Sequence, residues 1–292
     1  MTAIPMDGRA LSAVFEERLK AATEKMKACG TEPTLATILV GDDEASKVYV
    51  ASKHRAAGRV GIKSRSYVLP GQATEDELVN LIAQLNADRS VNGVLLQLPL
   101  PPQFDGLKML ERIDPAKDVD GLTSTNAGRL VYGRTDLVPC TPRGIMELLH
   151  HYAIPIRSSR AVIINRSTLV GKPLHQLLLA EDATVTVCHS KSTGLPSLTQ
   201  QADILVTAVG RRPNFVVTAD LVKEGAVVID VAMNRVDGKL VGDVDYQGVS
   251  EKASHITPVP GGVGPMTVVM LMQNTLIATE RQNRLLISQV GL

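Results

Sequence analysis

The chain has too few cysteines for a disulfide framework: three in 292 residues, at 29, 140 and 188, none of them in a CxxC pair. A small cross-linked secreted scaffold is thereby excluded, and a reducing compartment is expected. Neither sign of charge is in surplus, with 31 basic against 30 acidic side chains, so there is no broad basic field to favour a nucleic-acid backbone. No apolar run reaches the length of about eighteen residues that a membrane span needs. The opening residues place Leu11, Val14, Phe15 and Leu19 at helical spacing between charges, unlike a secretory leader. A soluble, cytoplasmic protein with neither nucleic acid nor membrane as partner is expected. HExxH is absent among the six histidines, and a helix would point the adjacent His150 and His151 to different faces, so no metal is expected. Internal repeats and low-complexity segments are lacking as well.

What the chain does have is apolar residues, 44% of it, enough to bury one large core or two smaller ones. β-rich runs at 35–40, 66–69, 93–98, 161–165, 183–188, 203–209 and 226–231 alternate with helical stretches. That alternation predicts an α/β fold of two domains, each a mostly parallel sheet flanked by helices. Thr74 and Glu77 form a capping-box pattern that opens a helix through Leu85, and Pro142 stands where an N1 proline would start another. The segment 99–142, rich in Pro, Gly and Asp, interrupts the alternation and marks the domain junction. A last helical stretch, from Thr267 to about Thr279, is expected to pack back on the first domain.

The run Ala161-Val-Ile-Ile-Asn-Arg-Ser-Thr-Leu-Val-Gly171 reads as strand, tight turn and helix, the place where a dinucleotide pyrophosphate meets a helix N-terminus. GxGxxG is lacking. Asn165 stands where the first glycine is expected, and Asn is one of the few residues that tolerate a left-handed turn. An ordinary βα turn accounts for this motif equally well. The end of the next strand tips the balance: it reads Cys188-His189-Ser190-Lys191, without the acid that binds a ribose 2′-hydroxyl in NAD sites. Arg166, Ser190 and Lys191 would instead bond a 2′-phosphate, which favours NADP; the bland alternative for Arg166 is a solvated surface charge.

In the first half, Ser46, Tyr49 and Lys53 recur at i, i+3 and i+7 after Gly41-Asp-Asp-Glu44, within about 60° of one another on a helix. Taken alone, a solvated lysine and a core-capping tyrosine explain these residues as well. Gln97 is polar at the carboxyl end of an apolar strand, where open α/β sheets bind ligands, although a strand end surfacing into solvent would look the same. Asp118 and Asp120 lie in a loop with no EF-hand pattern around them, so calcium is not expected; a carboxylate there suits paired donors on a ligand.

Together these segments closely resemble the bifunctional methylenetetrahydrofolate dehydrogenase/methenyltetrahydrofolate cyclohydrolase family. The matching motifs are Ser46-Lys-Val-Tyr49-Val-Ala-Ser-Lys53, Gly93-Val-Leu-Leu-Gln97-Leu-Pro-Leu-Pro, Lys117-Asp-Val-Asp-Gly121, Pro139-Cys-Thr-Pro-Arg-Gly144, Arg166-Ser-Thr-Leu-Val-Gly-Lys-Pro173, Val228-Ile-Asp-Val and Pro258-Val-Pro-Gly-Gly-Val-Gly-Pro-Met-Thr267. They run in family order over nearly the whole chain, and the last is the most specific.

The resemblance implies a folate-binding catalytic domain at 1–138 plus 267–292, a Rossmann-like NADP-binding domain at 139–266 and an active-site cleft between them. It implies oxidation of 5,10-methylenetetrahydrofolate with NADP, hydrolysis of the methenyl product to 10-formyltetrahydrofolate, and a homodimer. Catalytic roles would fall to Lys53, Tyr49, Gln97 and Asp120, with Lys53 activating water or passing a proton to the departing nitrogen, and Asp120 accepting the pterin's two-donor edge. Folate would also meet Ser46, Leu96, Leu98, Pro260, Gly261, Gly262, Val263 and Gly264, the glycines letting main chain approach the ligands. NADP would meet Thr141, Asn165, Arg166, Ser167, Gly171, Ser190 and Met233. The sequence departs from the commoner family pattern at Asn165, for Gly, and at Gly210-Arg-Arg-Pro213, where one residue often separates Gly from Pro.

Three rival readings are a dehydrogenase or cyclohydrolase with only one activity, a non-catalytic NADP-binding protein, and a general NADP dehydrogenase of small hydroxy acids. The intact set Lys53, Gln97 and Asp120 argues against a lost hydrolysis, and a general dehydrogenase would leave the Tyr49, Lys53 and Gln97 constellation without purpose; no motif looks eroded, and an NADP-binding test with a folate-dependent absorbance assay separates an enzyme from a non-catalytic protein.

Overall fold

The computed structural model describes residues 2–283. Residues 284–292, placed by sequence in the first domain, lie outside the described residues. In chain order the early elements are β1 (Ile4–Pro5), α1 (Gly8–Ala28), β2 (Thr34–Val40), α2 (Glu44–Arg59), β3 (Lys63–Leu69), α3 (Glu75–Ala87), β4 (Gly93–Leu96), α4 (Gly106–Leu110) and α5 (Ser124–Val131). There follow α6 (Cys140–His151), β5 (Arg160–Ile164), α7 (Gly171–Ala180), β6 (Thr184–Cys188), α8 (Leu195–Thr199), β7 (Ile204–Thr207) and β8 (Val227–Asp230). The last are β9 (Asn234–Val236), β10 (Lys239–Val241), α9 (Tyr246–Ser250), β11 (His255–Ile256) and α10 (Val263–Gln282). Two compact units result: a first, Val14–Cys140 with the residues from Val268 on, and a second, Thr141–Thr267 with the residues up to Ala13.

The first unit is built on three parallel strands in the order β3-β2-β4. Every residue of β2 is buried, as a central parallel strand covered on both faces requires, while β3 at the edge is only partly buried. Ile38, Val94 and Leu96 from the strands pack with Leu78, Ile82 and Leu85 from α3, each such side chain contributing about 1.5–3 kcal/mol of burial. The capping box read from Thr74 and Glu77 is present: Thr74 N–H donates to the Glu77 carboxylate at 2.7 Å and Glu77 N–H to the Thr74 hydroxyl at 3.2 Å. Helix α10 is tied here by Asn274, whose amide donates to the carbonyls of Val119 and Val138 at 2.8 and 2.9 Å. Because β3 and β4 lie on opposite sides of β2, the connections after β2 and β4 run to opposite sides, the position at which open α/β sheets form a ligand crevice.

The second unit carries a six-stranded parallel sheet in the order β1-β11-β8-β7-β5-β6. Its switch point lies between β5 and β7, since β6 follows β5 on one side and β7 on the other. Ile4 and Pro5 pair with His255 and Ile256, and this strand pairing groups the residues up to Ala13 with the second unit. An antiparallel hairpin, β9 with β10, turns at Asp237 and Gly238, whose φ of 50° and 75° are those of a primed turn. Among the described residues no helix is long and apolar enough to cross a membrane, and no three His, Cys, Asp or Glu side chains gather as metal ligands.

Candidate active site

In the first unit, α2 starts at the switch point because Asp43 caps it, its carboxylate accepting the Ser46 N–H at 2.7 Å. Two turns on, half-buried Lys53 donates from Nζ to Gln97 Oε1 at 2.9 Å. Gln97 follows β4, and its own Nε2 donates to the Leu98 carbonyl at 2.6 Å, which fixes the amide with its oxygen toward the lysine. Tyr49 is exposed on the same helix face. Ser46 and Leu96 depart from expectation: at 3% and 2% exposure both side chains are inside, Ser46 in the cap and Leu96 in the core, so at these positions only main chain remains for a ligand. Leu98 is half-buried at the crevice.

The loop Lys117–Gly121 divides its labour. Lys117 Nζ turns inward to the carbonyls of Leu85 and Asp88 at 2.9 and 2.7 Å. Fully buried Asp118 accepts the N–H groups of Leu122 and Thr123 and the Asn126 amide at 3.1, 2.8 and 2.9 Å. Both are thereby spent on structure, and Asp120 is the residue left to face a ligand. Burial pushes its carboxyl above the ordinary carboxylate range; the charge of Lys53 and a hydrogen bond from the Cys140 thiol oppose that rise, and Asp118 adds to it. Lysine and carboxylate therefore feel each other electrostatically. Cys140 was not singled out by sequence; its only signal was the Pro139-Cys-Thr-Pro motif.

In the second unit, the turn after β5 closes differently from expectation. Among the described residues, φ is positive outside glycine only at Ala153, Ser158, Asp182 and Asp237, so Asn165 makes no left-handed turn. It acts through its side chain: Oδ1 accepts the N–H groups of Ser167 and Gly171 at 2.7 and 3.1 Å, and Nδ2 donates to the Ala208 carbonyl at 2.7 Å. One side chain thus shapes the turn and ties it to the end of β7 across the switch point. Gly171 must be glycine, because a Cβ would lie 2.0 Å from the Asn165 carbonyl oxygen. Arg166, Ser190 and Lys191 are exposed at this carboxyl edge, Ser167 is half-buried, and no carboxylate stands at the end of β6. This donor set fits a phosphorylated dinucleotide. Thr141 pairs its hydroxyl with that of Thr267 at 3.0 Å, and Met233 is exposed after β8.

Pro260 and Gly264 are exposed, whereas Gly261, Gly262 and Val263 are buried. The close approach that Gly262 permits is to its own unit: a Cβ there would stand 2.8 Å from the Pro258 carbonyl oxygen, and a Cβ on Gly8 would strike the Gly262 carbonyl. A cavity of about 410 Å³ opens at the amino ends of the second sheet, opposite the turn, with Lys223 and Asp203 on its wall already paired at 2.5 Å.

A parallel sheet with a basic, acid-free turn at its switch point defines a dinucleotide-binding α/β protein, here combined with a separate lysine-bearing α/β unit. Residues 6–120 match the family model described as the tetrahydrofolate dehydrogenase/cyclohydrolase catalytic domain, and 139–283 its NAD(P)-binding domain. A bifunctional protein FolD from Cenarchaeum symbiosum is 56% identical over 94% of this chain and 97% of its own length. The crystal structure of the bifunctional FolD dehydrogenase/cyclohydrolase from Campylobacter jejuni superposes with a TM-score of 0.93 at 47% identity, covering 96% of this chain and 99% of that one. A Trypanosoma brucei FolD, solved with NADP cofactor and inhibitor, gives 0.92 at 36% identity, covering 97% and 99%. The chain belongs to the tetrahydrofolate dehydrogenase/cyclohydrolase family.

Proposed function

We propose that the protein oxidises 5,10-methylenetetrahydrofolate to the 5,10-methenyl form with NADP and hydrolyses that product to 10-formyltetrahydrofolate. The observation that carries this reading is the 2.9 Å bond from Lys53 Nζ to Gln97 Oε1 at the first unit's switch point, with Asp120 close enough to feel the lysine's charge. NADP, when bound, supplies the hydride acceptor; Arg166 and Ser190 hold its 2′-phosphate, and Asn165, Ser167, Gly171, Thr141 and Met233 line its path. Asp120 accepts the pterin's amine and ring N–H pair. Main chain at Ser46 and Leu96 and the Leu98 side chain complete the folate surface of the first unit.

Water must then add to the one-carbon bridge, and a proton must reach the departing nitrogen. In this reading Lys53 delivers that proton, its Nζ aimed by Gln97, with Tyr49 one turn earlier on the same helix. A homodimer and a cytoplasmic location belong to the same reading, on family grounds; the near-zero net charge supports the absence of a nucleic-acid partner. The test mixes protein with 5,10-methylenetetrahydrofolate and either NADP or NAD, following reduced cofactor and the methenyl chromophore together. NADP reduction with little standing methenyl is expected. Lys53→Met should let methenyl accumulate, whereas retained hydrolysis in that variant would overturn the role of the lysine.

A further inference from the structure

The departure at Gly210-Arg-Arg-Pro213 falls at the second unit's switch point. The Ala208 carbonyl, one residue past β7, is held at 2.7 Å by Asn165 of the phosphate-binding turn. From there the chain is pinned at almost every step. The N–H groups of Val209 and Gly210 donate to the Asp243 carboxylate at 2.7 and 3.0 Å. Arg212 donates its N–H to Asn234 Oδ1 at 3.0 Å and its Nη2 to the Val244 carbonyl at 2.7 Å. Asp243 is fully buried, so its charge is spent on these bonds and on Thr207. Among the charged groups of this stretch Arg211 is the one turned out: it is exposed, and among the described residues its guanidinium takes part in no ion pair. A pinned loop that holds out one uncompensated cation beside an anion-binding turn is a recognition device, since a solvated arginine needs no such scaffold.

Topology says which phosphate it meets. The sheet order runs β7-β5-β6, with Ser190 beyond the end of β6 and Arg211 beyond the end of β7. The turn after β5 lies between them. A cofactor whose 2′-phosphate rests at Ser190 therefore presents its pyrophosphate, not its 2′-phosphate, toward the β7 side. Resting on the NADP reading above, we infer that Arg211 is a pyrophosphate-binding residue, which adds affinity for the diphosphate bridge shared by NADP and NAD without choosing between them.

Fluorescence titration of the ligand-free protein with NADPH and with NADH tests this by binding alone. Arg211→Gln should weaken both cofactors by a similar factor of about ten, the size expected for one charge-assisted hydrogen bond, and Arg211→Lys should lose less. Arg166→Gln should weaken NADPH alone. An Arg211→Gln variant that binds both cofactors as the parent does overturns the inference and leaves the NADP reading standing. Selective loss of NADPH also overturns it, placing Arg211 at the 2′-phosphate instead. Should the parent protein bind neither cofactor, the underlying reading falls and the inference with it.

Discussion

Replacing Asn165 by alanine removes three hydrogen bonds at once, to the N–H groups of Ser167 and Gly171 and to the Ala208 carbonyl. Each is worth about 1 kcal/mol net, and the side chain is half-buried, so water can replace part of the loss. The expected cost is about 2 kcal/mol in the second unit. With a denaturant slope of about 2 kcal/mol per molar urea, that unit's unfolding midpoint should fall by roughly 1 M. The chain has no tryptophan, so far-ultraviolet circular dichroism is the practical probe. Because the same bonds shape the turn, NADPH affinity should fall about threefold to tenfold alongside the stability. Asn165→Gly is the sharper variant, since glycine leaves the backbone of the turn free but restores none of the three bonds. A glycine variant as stable as the parent, binding NADPH equally well, would refute the view that the Asn165 side chain holds this turn together.

Asp118→Ala leaves two backbone N–H groups and the Asn126 amide without their buried acceptor, and should cost the first unit about 3 kcal/mol or more, read by urea unfolding. Gly171→Ala should destabilise the second unit by about 1–3 kcal/mol, because the new Cβ meets main chain, which cannot swing aside as a side chain would. Burial raises the Asp230 carboxyl to about 6, against the N–H groups of Val244, Asp243 and Ala232 that favour its charge. With the folded value above the unfolded one, its contribution to stability is fully present below pH of about 4 and is lost as pH rises through about 6, about 3 kcal/mol in all. Carbon-13 titration of the Asp230 carboxyl should show that midpoint, and one near 4 would contradict it.

The seven long strands and the helices between them were legible because apolar runs bounded by turn residues carry the α/β signal directly. Strands β1 and β11 were not: two residues each leave no periodicity to detect, and only pairing, of β1 with β11 and of β11 with β8, makes them strands. The hairpin of β9 and β10 does leave a signal, the Asp237-Gly238 pair between short alternating runs. At the site, residue identity was easier to foresee than residue direction. Ser46 shares the helix stripe of Tyr49 and Lys53, yet at the first turn of α2 that stripe faces the cap, and spacing alone carries no depth. Asn165 was singled out for its backbone tolerance and turned out to work through its amide. Asp118 and Asp120 are indistinguishable in sequence; only the buried donors of Leu122, Thr123 and Asn126 show which one is structural.

Both sheets place their candidate chemistry past the last strand residue and not within the strand: Gln97 after β4, Asn165 and Arg166 after β5, Ser190 after β6, Arg211 after β7. The strands themselves are spent on cores that tolerate little change. Selection can therefore rewrite what either unit recognises by editing a few codons at strand exits while leaving the folding instructions untouched. Preference for one nucleotide over another and preference for one folate over another can drift along separate lineages of change, each paying no toll to the other.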